Sequence, residues 1–383
     1  MKRIFTLLFS LAPFVIVAQT SGNVSFEKRK AEIQQYWSRL RPVFSGNVFV
    51  VTPSVKAPFR AGAVNDAALK DGVNMVNFFR FLCGLPADVQ LKPELTELAQ
   101  HGSVLNAAWG RIEHKLPKPA GMTDDFYGKA NQGIGSSNLH RGVSTISKSV
   151  LEWIENAGER NIELLGHRRW ILYPGMLYTG FGFVTGYTSM YCFDNSRKDV
   201  EYQYVAFPSG AAFPVDFFGS SWAWSVSLNP AMYQMPIKTD ITVTLTEVAT
   251  GKKWNFGKDK NAGFFQVETS NFGIPICIIF RPQLIASYKG AYRVTINGLK
   301  NKTGASTAIS YETTFFEMDL NAFDADFEYV LSKTIPRKVT VTKYKGFLKK
   351  VVVPSTIKGI PVTTIGKGCF TYAKSLPLCF QTH

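Results

Sequence analysis

The sequence predicts a chain of α+β class, with helices ahead of strands. From about Ala67 to Asn156 the apolar residues recur with the 3.6-residue period of amphipathic helices. From about Tyr204 to Phe323 they alternate every second residue between turn signals, as half-buried strands do. After Phe323 a basic tail carries three short strand runs, so a strand-rich piece of solenoid is expected to follow. The 383 residues, 45% hydrophobic and 19% charged, are long enough for two or three globular units.

Residues 1–18 read as a secretory signal peptide. Lys2 and Arg3 precede an apolar run from Ile4 to Val17, and Ala18 is a small residue at the expected cleavage point. The alternative, an uncleaved anchor, would need a longer run, since Ile4 to Val17 is short for a bilayer span. The mature chain is therefore expected to have no transmembrane span and to be secreted or associated with the cell surface.

Residues 19–66 form a lead-in segment. Val24 to Phe44 mixes charge with spaced apolar residues and suggests an exposed amphipathic helix or a linker. Residues 46–66, with Pro53, Pro58 and Gly62, suggest extended, irregular chain. The next unit spans residues 67–203. Its first helix places Leu69, Val73, Val76 and Phe79/Arg80 along one side, and Gly84 with Pro86 supplies the stop. A second helix opens with Pro93 in its first turn and has Glu94 and Glu97 near the positive end of its dipole. Leu95, Leu98, Ala99 and Leu105 make its apolar stripe, and Glu97 with His101, four residues on, suggests a surface pair. A third helix gathers Ile146, Val150, Trp153 and Ile154, and a short fourth precedes His167. The stretch YTGFGFVTGYTSMYCF then gives two strands. Residues 204–323 suggest a β-sandwich, in which Trp222 and Trp224 read as core rings rather than a sugar-stacking platform.

The net charge of +15 is unevenly placed. After Glu328 there is no acidic residue and there are ten lysines and arginines; removing these and the two in the leader leaves +3. Basicity thus belongs to residues 324–383, where it is either a solvated face or a strip for anionic surface polymers. Nothing else points to nucleic acid. The five cysteines are scattered, without metal-ligand spacing, and Cys83, Cys192 and Cys277 sit in apolar runs that suggest buried thiols.

Chemistry is suggested by two histidines. His114 stands in RIEHKLPKP before a proline-rich turn, and His167 in ELLGHRRWILYPG, where Gly166 allows backbone or ligand to come close. Two imidazoles on neighbouring elements can hold a divalent metal or act as acid and base. His140, in SSNLHRG, reads as a loop residue.

Taken in order, VNMVNFFRFLCGLP, LKPELTELAQ, HKLP, SVLEWIENAG and GHRRWILYPGMLYTGFG resemble the bacterial form of the CAP superfamily, the cysteine-rich secretory proteins, antigen 5 and pathogenesis-related proteins. The resemblance covers about Ala67 to Phe193. It implies an α-β-α sandwich with a cleft flanked by His114 and His167, which in some members ligate zinc or another divalent ion. HKLP matches the H-x-x-P element, and Gly166-His167-Arg168 the Gly-His-Arg signature. Ser137, Asn138, Glu155 and Arg168 are then expected to line the cleft. The sequence departs from the family where a Gly-Glu-Asn motif is usual: Ser137 stands for the glutamate, beside Asn138. The second glutamate is also out of register, with Glu155 two residues after Trp153. The tail segment KKVVVPSTIKGIPVTTIGKGCF resembles the BspA-like leucine-rich repeats of bacterial surface proteins, over little more than one repeat. Together these imply a secreted or surface module that binds a small ligand, a lipid, or a surface polymer or protein. A divalent-metal-dependent hydrolase and an adhesin are the alternatives.

Overall fold

Helix α1 (Phe26–Leu40) starts where the Ser25 hydroxyl accepts from the Lys28 N–H at 3.3 Å. The computed structural model describes residues 25–44, 46–156, 158–318, 326–344, 351 and 353–370. The expected leader, Cys379 and the tail lysines 345, 349, 350 and 374 lie outside them. Contrary to an exposed lead-in, α1 buries Ile33 and Trp37; the indole sits 4.8 Å from the Phe78 ring and 5.0 Å from that of Phe217. Arg29 Nη2 donates to the Phe81 carbonyl at 2.6 Å, which fixes the helix along its length.

A two-stranded ribbon follows, β1 (Phe49–Val51) against β2 (Ala63–Val64). Asn65 then caps helix α2 (Asp66–Leu82), accepting from the Ala67 N–H at 2.9 Å, and the helix stops at Cys83 and Gly84 as the sequence predicts. Strand β3 (Gln90–Leu91) leads into helix α3 (Pro93–Trp109), which ends at the left-handed Gly110. Helix α4 (Asp124–Gly135) and strand β4 (Ser137–Arg141) were not legible in the sequence. The glycines of α4 blur its helical period; the Thr123 cap and the packing of Ala130 and Ile134 with Leu105, Leu116 and Leu139 decide it. Helices α5 (Ile146–Glu155), α6 (Glu159–Leu164) and α7 (Gly166–Ile171) precede strands β5 (Tyr178–Val184) and β6 (Tyr187–Tyr191).

These strands form a four-stranded sheet in the order β3-β5-β6-β4, antiparallel except for β3 with β5. The glycines of YTGFGF explain how α3 lies on it. A Cβ on Gly180 would stand 2.1 Å from the Thr96 nitrogen, and one on Gly182 2.2 Å from the Ala99 carbonyl oxygen. On the opposite face Phe181 points toward α2 and α5, with Gly72 and Ile146 beside it. Helices thus cover both faces.

Residues beyond 203 form two facing sheets. One runs β11-β10-β14-β15-β8 and the other β12-β13-β9-β7, with β7 (Tyr204–Phe207), β8 (Ala211–Pro214), β9 (Trp224–Leu228), β10 (Thr242–Glu247), β11 (Lys253–Phe256), β12 (Gly263–Glu268), β13 (Ile276–Pro282), β14 (Gly290–Lys300) and β15 (Ser306–Phe316). Trp222 and Trp224 are both 0% exposed, which makes them core rings; Trp224 meets Phe280 of its own sheet and Phe315 of the facing one. The apolar core runs without a break from Ile33 to Met318, so this part shares its interior with the helical part. Strands β16 (Phe327–Leu331), β17 (Val339–Tyr344), β18 (Thr356–Ile357) and β19 (Ile360–Ile365) close a separate small sheet over Val339, Val341 and Ile357. Cys83, Cys192, Cys277 and Cys369 are buried free thiols.

Candidate functional site

Helix α5 ends at Asn156, which adopts the left-handed conformation (φ 54°) and donates its N–H to the Glu152 carbonyl. That turn aims the Asn156 side chain at α7. Its Oδ1 lies 2.8 Å from His167 Nδ1, and its Nδ2 donates to the Asn161 carbonyl at 2.7 Å. Because the amide's donor is engaged, Oδ1 is the acceptor and Nδ1 carries the proton. The neutral ring then has Nε2 as a free lone pair. Burial pushes the His167 pKa down to about 4, with the positive charges of His114 and His140 adding to the effect. Asparagine was not expected in this role. The legible signal was its place at the end of a strong apolar helix, where Asn is a common left-handed cap.

His140 is near enough to His167 for its charge to lower that ring's pKa. It lies on β4 opposite Thr188 of β6, on a strand rather than in the loop that the sequence suggests. Burial lowers its pKa, and its Nδ1 has no hydrogen-bond partner among the described residues. Alternation along β4 puts Asn138 and His140 on one face and Ser137 and Leu139 on the other. Asn138 Nδ2 donates to the His167 carbonyl at 3.0 Å, tying the strand to α7. Ser137 is buried, with an unpartnered hydroxyl, and strand alternation separates it from Asn138. His114 is exposed; a carbonyl can only accept, so its Nδ1 donates to the Ile134 oxygen at 2.9 Å and leaves Nε2 free.

Glu155 and Arg168 belong to a different arrangement. Arg168, expected along the cleft, is 1% exposed. Its Nε donates to the Ile154 carbonyl at 2.6 Å, Nη2 to that of Glu155 at 3.1 Å, and Nη1 to the Ala223 carbonyl and the Ser225 hydroxyl at 2.6 and 3.2 Å. The guanidinium also stands 4.5 Å from the Phe207 ring centroid. Burial holds its pKa down to about 10, still charged at neutral pH. Arg169 repeats the device, donating to Ser270 and Ile274 carbonyls, with Phe272 beneath it. A Cβ on Gly166 would stand 2.8 Å from that same Phe272 ring, so the glycine before His167 admits an aromatic side chain of the β region. Glu155 is half-buried, and among the described residues the charges acting on His167 are those of the other two histidines.

As a metal centre this donor set falls short. Zinc sites take three or four protein ligands, and among the described residues no three His, Cys, Asp or Glu side chains gather as ligands of one ion. His114 and His167 supply two nitrogens. Glu97 and His101, expected as a surface pair, part company: Glu97 bonds Lys129 at 2.8 Å, whereas His101 is 9% exposed and its Nδ1 donates to the Glu97 backbone carbonyl, also at 2.8 Å.

No family model and no curated protein matches the chain. Among solved structures, CopC from Methylosinus trichosporium OB3b is 15% identical over 32% of this chain and 98% of its own, with a TM-score of 0.21. A likeness of that size carries no argument about this chain.

Proposed function

We propose that the chain is an exported, surface-associated binding module of the CAP type, taking a small ligand or partner in the groove of His114, His140 and His167 without catalysing its hydrolysis. The β region and the repeat-like tail are its attachment or partner-contact parts. The layered order of helices on both faces of β3-β5-β6-β4 supports the CAP-like reading, as do the positions of HKLP and GHR.

One observation carries the non-catalytic side of this reading. His167 is oriented by the Asn156 carboxamide at 2.8 Å, which fixes the ring but lends its imidazolium none of the negative charge that a carboxylate partner would. A ring that protonates only near pH 4 with two positive neighbours accepts hydrogen bonds well and takes protons poorly.

The test is native mass spectrometry of the secreted chain, wild type against His114→Ala and His167→Ala, with zinc analysis and ester and peptide hydrolysis assays on the same samples. The reading expects a co-purifying ligand that both variants lose, less than one zinc per chain, and no turnover. Turnover that disappears in His167→Ala would overturn it.

A further inference from the structure

A cavity lies between strand β2, the first turns of α2, strand β3 and helix α3, and His114, His140 and His167 are not in its lining. Its volume is about 500 Å³, within the range that holds small organic ligands. Val64, Leu69 and Leu91 give it an apolar lining. Two carboxylates, Asp66 and Glu97, also line it, and no lysine or arginine does.

The hydrogen-bonding inventory of the wall points one way. Gln100 has its donors engaged, with Nε2 donating to the Ala61 carbonyl at 2.7 Å and the Phe183 carbonyl at 3.2 Å, while Oε1 accepts from the Phe183 N–H. The Leu95 and Thr96 amides both donate to Lys92. His101 is 9% exposed and packs against Phe126, with ring centroids 4.4 Å apart and the planes tilted by 52°. Its Nδ1 donates to a carbonyl, so in the neutral ring Nε2 is an acceptor, and among the described residues that nitrogen has no partner. Glu97 bonds Lys129 through Oε1, leaving Oε2, and Asp66 makes no ion pair among the described residues. Apart from the Thr96 hydroxyl, the side-chain groups left for a ligand are acceptors.

We propose that this cavity binds an organic cation: a protonated amine on an apolar body, its N–H groups directed to His101 Nε2 and the carboxylates of Asp66 and Glu97, its body against Val64, Leu69 and Leu91. A carboxylate of the same shape would face Asp66, Glu97 and the His101 lone pair, with the Thr96 hydroxyl the one lining side chain left to donate, and is disfavoured. The inference is independent of the imidazole groove.

The experiment uses isothermal titration of the full secreted chain at pH 7 with decylamine, decanol and decanoate, each below its micelle concentration. Decylamine should bind one per chain, at least tenfold tighter than decanoate and tighter than decanol. Asp66→Asn and Glu97→Gln, both on exposed side chains and both near-isosteric, should each weaken it about fivefold. His101→Phe keeps an aromatic ring against Phe126 and removes the acceptor, so it should weaken decylamine with the thermal midpoint little changed. Leu91→Trp should fill the cavity and abolish binding, whereas His167→Ala should leave it intact. Failure of decylamine to bind, decanoate binding as tightly, indifference to Asp66→Asn, Glu97→Gln and Leu91→Trp, or loss in His167→Ala would each overturn the proposal.

Discussion

Asn156 Oδ1 accepts from His167 Nδ1 at 2.8 Å, so the buried imidazole is held by a partner that carries no charge. The left-handed turn that ends α5 sets this contact, and it determines how the histidine titrates.

Replacing that amide by a carboxylate should reverse the balance. Asp tolerates the left-handed conformation nearly as well as Asn. Asn156→Asp is expected to raise the His167 pKa by at least one unit, read from the imidazole Cε1–H resonance in an NMR titration with His167→Gln as the assignment control. Losing the donor to Asn161 should cost about 1 kcal/mol of stability. An unmoved titration would show that Asn156 does not orient the ring in solution.

The chain should lose stability in mild acid. Folded His167 remains neutral down to about pH 4, whereas in the unfolded chain it takes a proton near 6.5. Between those values the unfolded state binds more protons, so stability is full above 6.5 and falls as pH drops toward 4, by up to about 1.4 kcal/mol per pH unit. His140, whose pKa is also lowered, adds in the same direction. Urea unfolding at pH 7, 6 and 5 measures the slope, and His167→Gln should flatten it.

Arg168 joins α7 to the end of α5 and to strand β9 and the residue before it. Arg168→Ala leaves the carbonyls of Ile154, Glu155 and Ala223 without that donor inside the shared core. A loss of about 3 kcal/mol or more is expected in urea unfolding. Arg168→Lys should recover only part of it, because one ammonium cannot reach four acceptors arranged around a planar fork. If Arg168→Ala costs under 1 kcal/mol, the arginine is not the link between the two regions.

Gly182→Ala tests the seat of α3. The added Cβ would fall 2.2 Å from the Ala99 carbonyl oxygen, a backbone atom that cannot turn aside. The helix must lift from the sheet, which should cost about 3 kcal/mol and lower the thermal midpoint. Gly186→Ala, with open space around its Cβ, separates this clash from the strain of a positive φ, which that residue has at 84°.

Much of the secondary structure was readable because burial imposes a period. The stripe of Leu69, Val73 and Val76 gave α2; Ile146, Val150 and Trp153 gave α5; the alternation of Val243 and Leu245 gave β10. Helix α4 and strand β4 escaped because glycine-rich GKANQGIG and polar SNLHR have no strong period of their own; contacts with α3 and with β6 hold them. Losing β4 meant losing His140, since a histidine reads as solvated until a neighbouring strand buries it.

The amino-acid order by itself determined that helices come ahead of the strand-rich part and that Trp222 and Trp224 enter a core, because those follow from local period and residue type. Tertiary structure alone decided that Arg168 turns into the interior, that His140 comes within electrostatic reach of His167, that Asn156 is the orienting partner, and that a cavity opens beside α3. Each of these depends on groups far apart in the chain reaching hydrogen-bond or van der Waals distance, and no local pattern of residues encodes that distance.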